Sequence, residues 1–208
     1  LNAQFVRLDV EEINNEGKVP GSTFRVYAVF ENEGDILDAV YGEASALMSI
    51  TSTKPFYQHP KGGALSTDIQ RYDISVNPEL AYDSWVTIGA EDNYMNALSG
   101  FIMEFGEFET AGGKLETNNG AWFVTPDKRQ SMAGSSKRIL LMQLTTDGTA
   151  TGVLNLQGRD GEGGTWRAHD LTFSTTDAQV FGCTNVEAAN YSSDATYNDG
   201  SCEGAATD

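Results

Sequence analysis

The chain has 208 residues, with 13 Lys+Arg against 30 Asp+Glu, a formal net charge of −17 at pH 7 and 39% hydrophobic residues. That is enough apolar material for a buried core, and one large domain with a small appendage fits the length. The acidic excess argues against nucleic acid and anionic membranes, whose phosphates need a basic footprint, and no run of ~18 apolar residues is present to insert into a bilayer as a helix.

Apolar residues recur mostly with the period of strands. The chain opens Leu1-Asn2-Ala3-Gln4, without the charged and apolar regions of a signal peptide, as expected where such a peptide has been removed. Phe5, Arg7 and Asp9 then alternate with Val6, Leu8 and Val10, which predicts a strand over residues 4–12. Residues 23–30 (TFRVYAVF) are β-branched and aromatic throughout, and residues 36–41 follow a Glu33-Gly34-Asp35 turn. Residues 47–50, 84–88 (SWVTI), 101–108 (FIMEFGEF) and 121–124 are further predicted strands. Helix signals are confined to residues 93–98 and 125–134.

Residues 138–145 (RILLMQLT) and 152–157 (GVLNLQ) flank Thr146-Asp147-Gly148-Thr149, and Asp-Gly between alternating runs is a hairpin signal. A second Gly/Asp turn at 159–164 leads to residues 165–173 (TWRAHDLTF), so the three runs are expected to form an antiparallel meander. Many short strands, 22 Gly and few helices predict an all-β, antiparallel sandwich or jelly roll. The expected organisation is a sandwich domain over 1–174, a linker over 175–180, and a small Cys-loop module with an acidic tail over 181–208.

The two cysteines, Cys183 and Cys202, bracket a polar segment rich in Asn, Ser, Asp and Gly. A loop with so little core of its own is expected to be stapled by a disulfide, which points to an oxidising, extracellular or cell-surface location. Chain entropy for about 20 enclosed residues corresponds to about 3 kcal/mol. Within the loop, Asp194, Thr196, Asn198 and Asp199 space side-chain oxygens ahead of Gly200, a pattern that suits calcium. A plain turn is the competing reading, because these side chains also bond their own backbone. Asn190-Tyr191-Ser192 fits a glycosylation sequon.

No catalytic constellation stands out. The two histidines, His59 and His169, adjoin no nucleophile elbow, and are expected in a loop and on a solvent-facing strand position. Glu104, Glu107 and Glu109 would supply a glycosidase pair only if they converged, and an outward acidic strand face is the simpler expectation. Trp85, Trp122 and Trp166 lie inside predicted strands and are expected in the core. Tyr57, Tyr72, Tyr82 and Tyr94 lie in the irregular middle of the chain and are the candidate exposed rings for carbohydrate.

Gly182-Cys183-Thr184, Ala189-Asn190-Tyr191, Ala195-Thr196 and Asp199-Gly200-Ser201-Cys202 resemble the short Cys-loop module of secreted, often repetitive surface proteins of marine Bacteroidota and some algae. Many copies of that module carry a further Cys where this chain has Ala189, and copies are often tandem where this chain has one. The larger domain resembles a secreted domain of marine bacteria and algae through Thr23-Phe24-Arg25-Val26-Tyr27, residues 35–42, Phe56-Tyr57-Gln58 and Tyr82-Asp83-Ser84-Trp85-Val86-Thr87-Ile88-Gly89. Both resemblances imply an extracellular place and supply no catalytic residue.

The resulting expectation is a non-enzymatic, structural or adhesive surface protein, assembling with copies of itself into a fibre or layer. A free N-terminal strand, with Phe5, Val6, Leu8 and Val10, would complete a neighbour's sheet. The alternative is a carbohydrate-binding module with polysaccharide as partner.

Overall fold

The computed structural model describes residues 5–94, 98–101, 103–110, 112–125, 128–198 and 200–204. The strands are β1 (Phe5–Ile13), β2 (Ser22–Phe30), β3 (Ile36–Gly42), β4 (Met48–Ser52), β5 (Trp85–Val86), β6 (Leu98–Phe101), β7 (Lys114–Thr117), β8 (Gly120–Val124), β9 (Arg138–Thr146), β10 (Ala150–Arg159), β11 (Thr165–Ser174), β12 (Phe181–Gly182) and β13 (Tyr197–Asn198). Two short helices, α1 (Arg71–Ile74) and α2 (Gly106–Thr110), join them.

One sheet has the order β1-β2-β9-β5. The other runs β6-β8-β3-β10, with β4 and β7 continuing the line of β3 and β8, and β11 paired to the far side of β10. Both are antiparallel. Val26, Ala28, Phe30, Ile139, Leu141 and Leu144 from the first sheet meet Leu37, Val40, Ile50, Trp122, Leu154 and Leu156 from the second in one core. The all-β sandwich expected from the periodicity is the observed fold.

Strand β9 explains its own unbroken apolar run. Ile139 and Leu141 enter the inter-sheet core, while Leu140 faces the other way, into a satellite cluster with Ile69, Leu80 and Trp85. Residues 53–94 form the excursion that supplies this cluster and covers the outer face of the first sheet. A strand covered on both faces needs no polar side.

Five expectations are corrected. The Thr146–Thr149 turn does not close a hairpin: β9 pairs with β2 and β5, and β10 with β3, β4 and β11, so the turn carries the chain from one sheet to the other. Thr146 fixes this corner, its Oγ1 accepting from Gly148 N–H at 3.0 Å while lying 2.8 Å from Ser52 Oγ. Of these two turns, the 159–164 turn closes a hairpin, between β10 and β11. Residues 101–108 are not a strand, since β6 ends at Phe101 and residues 106–110 are helical. Phe105 and Phe108, three apart, are both buried, and Phe108 packs on Phe56 with centroids 5.2 Å apart. The 93–98 helix is replaced by a turn at Asn93–Tyr94 and by the start of β6 at Leu98, with 95–97 outside the described residues. Of the 125–134 helix, a single 3-10 turn at Arg129–Ser131 is present, 126–127 lying outside.

The N-terminal strand is the fifth. It is not free: β1 pairs with β2 along its length, from Phe5 opposite Phe30 to Ile13 opposite Thr23. Phe5 and Leu8 pack against the core and Val10 lies within it, while Val6, at a bulge in the register, remains exposed. The outer edge of β1 takes a further partner, because Gln179 forms a parallel bridge with Glu11.

Candidate functional site

The excursion over residues 53–94 is built on a buried carboxylate. Asp83 is wholly buried, and its Oδ1 accepts from His59 N–H at 2.6 Å while Oδ2 accepts from Gly63 N–H at 3.1 Å. Burial pushes the carboxyl up to about 7, against the pull of the backbone N–H groups of His59, Gly63 and Ser84. Gly62 is obligatory here, since a Cβ at this position would lie 1.8 Å from Asp83 Oδ2. The same loop is tied by Leu65 N–H to Asp68 Oδ2 at 3.0 Å and by Ala64 N–H to Glu109 Oε1 at 3.1 Å. Ser84, Thr87 and Trp85 continue the girder: Ser84 Oγ accepts from Thr145 N–H, Thr87 Oγ1 accepts from Ser66 Oγ, and Trp122 Nε1 donates to Thr87 O.

On this frame the four candidate tyrosines separate. Tyr57 and Tyr82 are half-buried, their backbones tied to Thr145: Tyr57 N–H donates to Thr145 O, and Thr145 Oγ1 donates to Tyr82 O. Tyr72 and Tyr94 stand out, 82% and 61% exposed, and nearby in sequence Val76 is 63% exposed. The Arg71 guanidinium lies 4.4 Å from the centroid of Tyr94, and its Nε donates to Asp92 Oδ2 at 2.6 Å. Asp92 also accepts from Tyr94 N–H at 2.8 Å. Asn93 bonds Gln70 and Arg71 N–H, locking the 91–94 turn to the start of α1. The structure thus offers two exposed rings, one on α1 and one on the turn locked to it, with Arg71, Gln70 and Asn93 making the lock.

The Cys183–Cys202 disulfide is formed. The module it closes has a parallel pair, β12 with β13, and packs Phe181 on Tyr197 at 4.8 Å. Three of the candidate calcium ligands have partners in or beside the loop. Thr196 Oγ1 accepts from Val180 N–H at 2.9 Å, Asn198 Oδ1 from Gly200 N–H at 3.0 Å, and Asp194 Oδ1 faces Ser193; Asp199 lies outside the described residues. No group of three His, Cys, Asp or Glu side chains that could hold a metal occurs among the described residues. Asn190, the sequon residue, ties the loop internally, donating to Ser201 O at 2.7 Å and accepting from Glu203 N–H at 2.8 Å.

Comparison of the chain with family models, with curated proteins and with solved structures returns no match.

His59 is a loop residue whose Nδ1 accepts from Lys61 N–H, and His169 is exposed on β11 beside Tyr41 and Glu43. Glu107 and Glu109 lie on α2 and Glu104 just before it, so the three do not share a strand face. Trp85 and Trp122 are core residues, and Trp166 packs against Phe30 at its margin. Three organising residues escaped the sequence reading. Asp83 holds the 59–63 loop. Asn155, fully buried, donates to Tyr41 O and Ala46 O and accepts from Asp170 N–H, joining β3, the connection between β3 and β4, and β11. Arg138 lies 3.8 Å from the Tyr27 ring centroid and pairs with Glu11 at 2.9 Å. A buried polar role of this kind has no local pattern; the one available signal is a lone Asp or Asn in or beside an apolar strand run.

Proposed function

We propose that the protein is a secreted, non-catalytic adhesive surface protein that binds polysaccharide through the face bearing Tyr72 and Tyr94, as a subunit of an extracellular fibre or layer. The observation that carries this reading is the pair of exposed rings held on a braced segment. Tyrosine offers a large apolar surface and a polar tip with little rotamer entropy to lose, and exposed apolar patches rimmed by polar groups mark contact surfaces. Gln70, Asn93 and Arg71 supply the polar rim. The disulfide, and the fact that no helix among the described residues is long and apolar enough to cross a membrane, are compatible with an extracellular location. Binding is favoured over catalysis because His59 and His169 contact a backbone amide, a phenol and a carboxylate, not a serine, threonine or cysteine nucleophile.

The test is calorimetric titration of the chain with a panel of soluble polysaccharides, in calcium and in EDTA. At least one glycan binds the wild type, and Tyr72→Ala and Tyr94→Ala each weaken that binding tenfold or more. If calcium is held by the module, affinity or mass changes in EDTA and Asp194→Ala removes the change. Binding untouched by both tyrosine variants contradicts the assignment of this face.

A further inference from the structure

The outer face of the second sheet carries polar chemistry that the tyrosine face does not use. Side chains alternate between the two faces of a strand. Leu154, Leu156 and Phe173 of β10 and β11 enter the core, and Trp166 packs against it. Gln157 and Arg167, which stand directly opposite each other, therefore point away from the core. Tyr41 of β3 shares their face, because the Arg167 guanidinium lies 5.7 Å from its ring centroid. Thr165, Arg167 and His169 are exposed along β11. A cavity of about 310 Å³ lies here, lined by Asp38, Gln157, Gly158, Thr165, Trp166 and Arg167.

The charges on this face leave one guanidinium over. Asp38 is taken by Arg159 through two bonds of 2.9 Å, and Glu43 lies 4.0 Å from His169 Nδ1. The other ring nitrogen of His169, Nε2, is 3.1 Å from the Tyr41 hydroxyl. Arg7, Arg25, Arg71, Arg138 and Arg159 each have a carboxylate partner. Arg167 has none among the described residues, in a chain with 30 Asp+Glu. It rests against the Tyr41 ring instead, which positions the guanidinium and leaves its planar fork of donors to solvent.

We propose that this face is a second saccharide site, and that its ligand is a carboxylated polysaccharide, a chain of uronate sugars. The ligand carboxylate sits on the Arg167 fork, where two parallel N–H···O bonds match its planar geometry. Gln157 and His169 take the neighbouring sugar hydroxyls, and the cavity, at the lower end of the range for small-molecule sites, receives the ring. The carboxylates of Asp38 and Glu43 are engaged with Arg159 and His169, so Arg167 is the cation left to meet the ligand charge. A chain of net charge −17 repels a polyanion at long range, so non-specific attraction does not supply this binding. The site lies on the outer face of the second sheet, whereas the 53–94 excursion covers the outer face of the first. It is therefore separate from the tyrosine face and does not rest on it.

The experiment titrates the full chain with a polygalacturonate oligomer by calorimetry, in EDTA and at about 0.15 M salt, which screens the long-range repulsion. The wild type is expected to bind it saturably. Arg167→Gln, which keeps an amide and removes the charge, weakens binding about tenfold or more, and Arg167→Lys, which keeps the charge and loses the fork, falls between the two. The fully methyl-esterified oligomer, which has no charge, binds the wild type about tenfold or more weakly and does not distinguish it from Arg167→Gln. Dextran sulfate of similar length binds more weakly than polygalacturonate. The Tyr72→Ala, Tyr94→Ala double variant keeps the wild-type affinity for polygalacturonate. No binding by the wild type, an affinity unchanged in an Arg167→Gln variant that melts at the wild-type temperature, or equal affinity for the methyl ester would each overturn the proposal. So would dextran sulfate held as tightly through Arg167, or loss of polygalacturonate binding in the tyrosine double variant. A neutral glycan bound at the tyrosine face is indifferent to Arg167→Gln, so failure of the two proposals is separable.

Discussion

The inter-sheet core and the outer part of the 53–94 excursion, residues 66–83 and 89–94, hold their shapes by different means. The core is a matter of volume: Val26, Leu37, Val40, Ile50, Trp122, Leu141 and Leu154 are fully buried, and the two sheets close on them from both sides. Phe56, Ala64, Leu65, Val86 and Ile88 of the excursion enter that core, but its outer part packs only on the satellite cluster of Ile69, Leu80, Trp85 and the β9 residue Leu140, and is tied down by polar atoms of Asp83, Asn93, Asp92, Ser84 and Thr87. Volume tolerates related apolar substitutions, whereas a single-atom acceptor does not. The exposed tyrosines stand on the second kind of structure, so their presentation depends on hydrogen bonds more than on packing.

The largest effect is expected from Trp122→Ala. It empties the centre of the core and strands Thr87 O, with a loss of about 3–5 kcal/mol in denaturant unfolding. Next is Cys183→Ser with Cys202→Ser, which releases the module; chain entropy for about 20 residues sets the loss at about 3 kcal/mol, seen as early proteolysis between residues 181 and 204 while the body stays folded.

Asp83 gives the sharpest contrast, because its effect depends on pH. Its folded-state value is raised to about 7 from the ordinary 3.8, so the folded chain holds the proton more tightly than the unfolded chain. The stabilisation linked to this group is therefore complete below about pH 4 and lost as pH rises through 7, on the order of a few kcal/mol. Unfolding free energies from pH 4 to 8 for the wild type, minus those of Asp83→Asn, should fall with rising pH. A flat difference would mean that the carboxylate is ionised throughout and that its N–H donors outweigh burial. The smallest stability effect is expected from Tyr72→Ala, within about 0.5 kcal/mol, since its side chain touches mostly solvent.

The strands were largely legible because alternation and turn residues are local properties. Residues 23–30, 36–41 and 138–145 lie within one residue or so of β2, β3 and β9. The sheet to which a strand belongs was not legible. Asp147-Gly148 and the 159–164 turn carry similar residues, yet one is a corner between sheets and the other closes a hairpin, a choice made by Thr146 and by the distant partners of β10. Residues 101–108 alternate well enough to read as a strand, and only the joint burial of Phe105 and Phe108 reveals the helical turn. At the candidate site, Tyr72 and Tyr94 were read as exposed and are, whereas Tyr57 and Tyr82 are drawn inward by main-chain bonds to Thr145. Asp83 was invisible as an organiser because its role exists only once Gly62 and Gly63 fold over it.

The most direct test of the account is the affinity of the wild type and of the Tyr72→Ala, Tyr94→Ala double variant for a polysaccharide selected from the panel, measured by calorimetry at one pH and salt. The account predicts saturable binding by the wild type and its loss in a double variant that melts at the wild-type temperature. Equal binding by both proteins, or no binding by the wild type to any glycan in the panel, would contradict it.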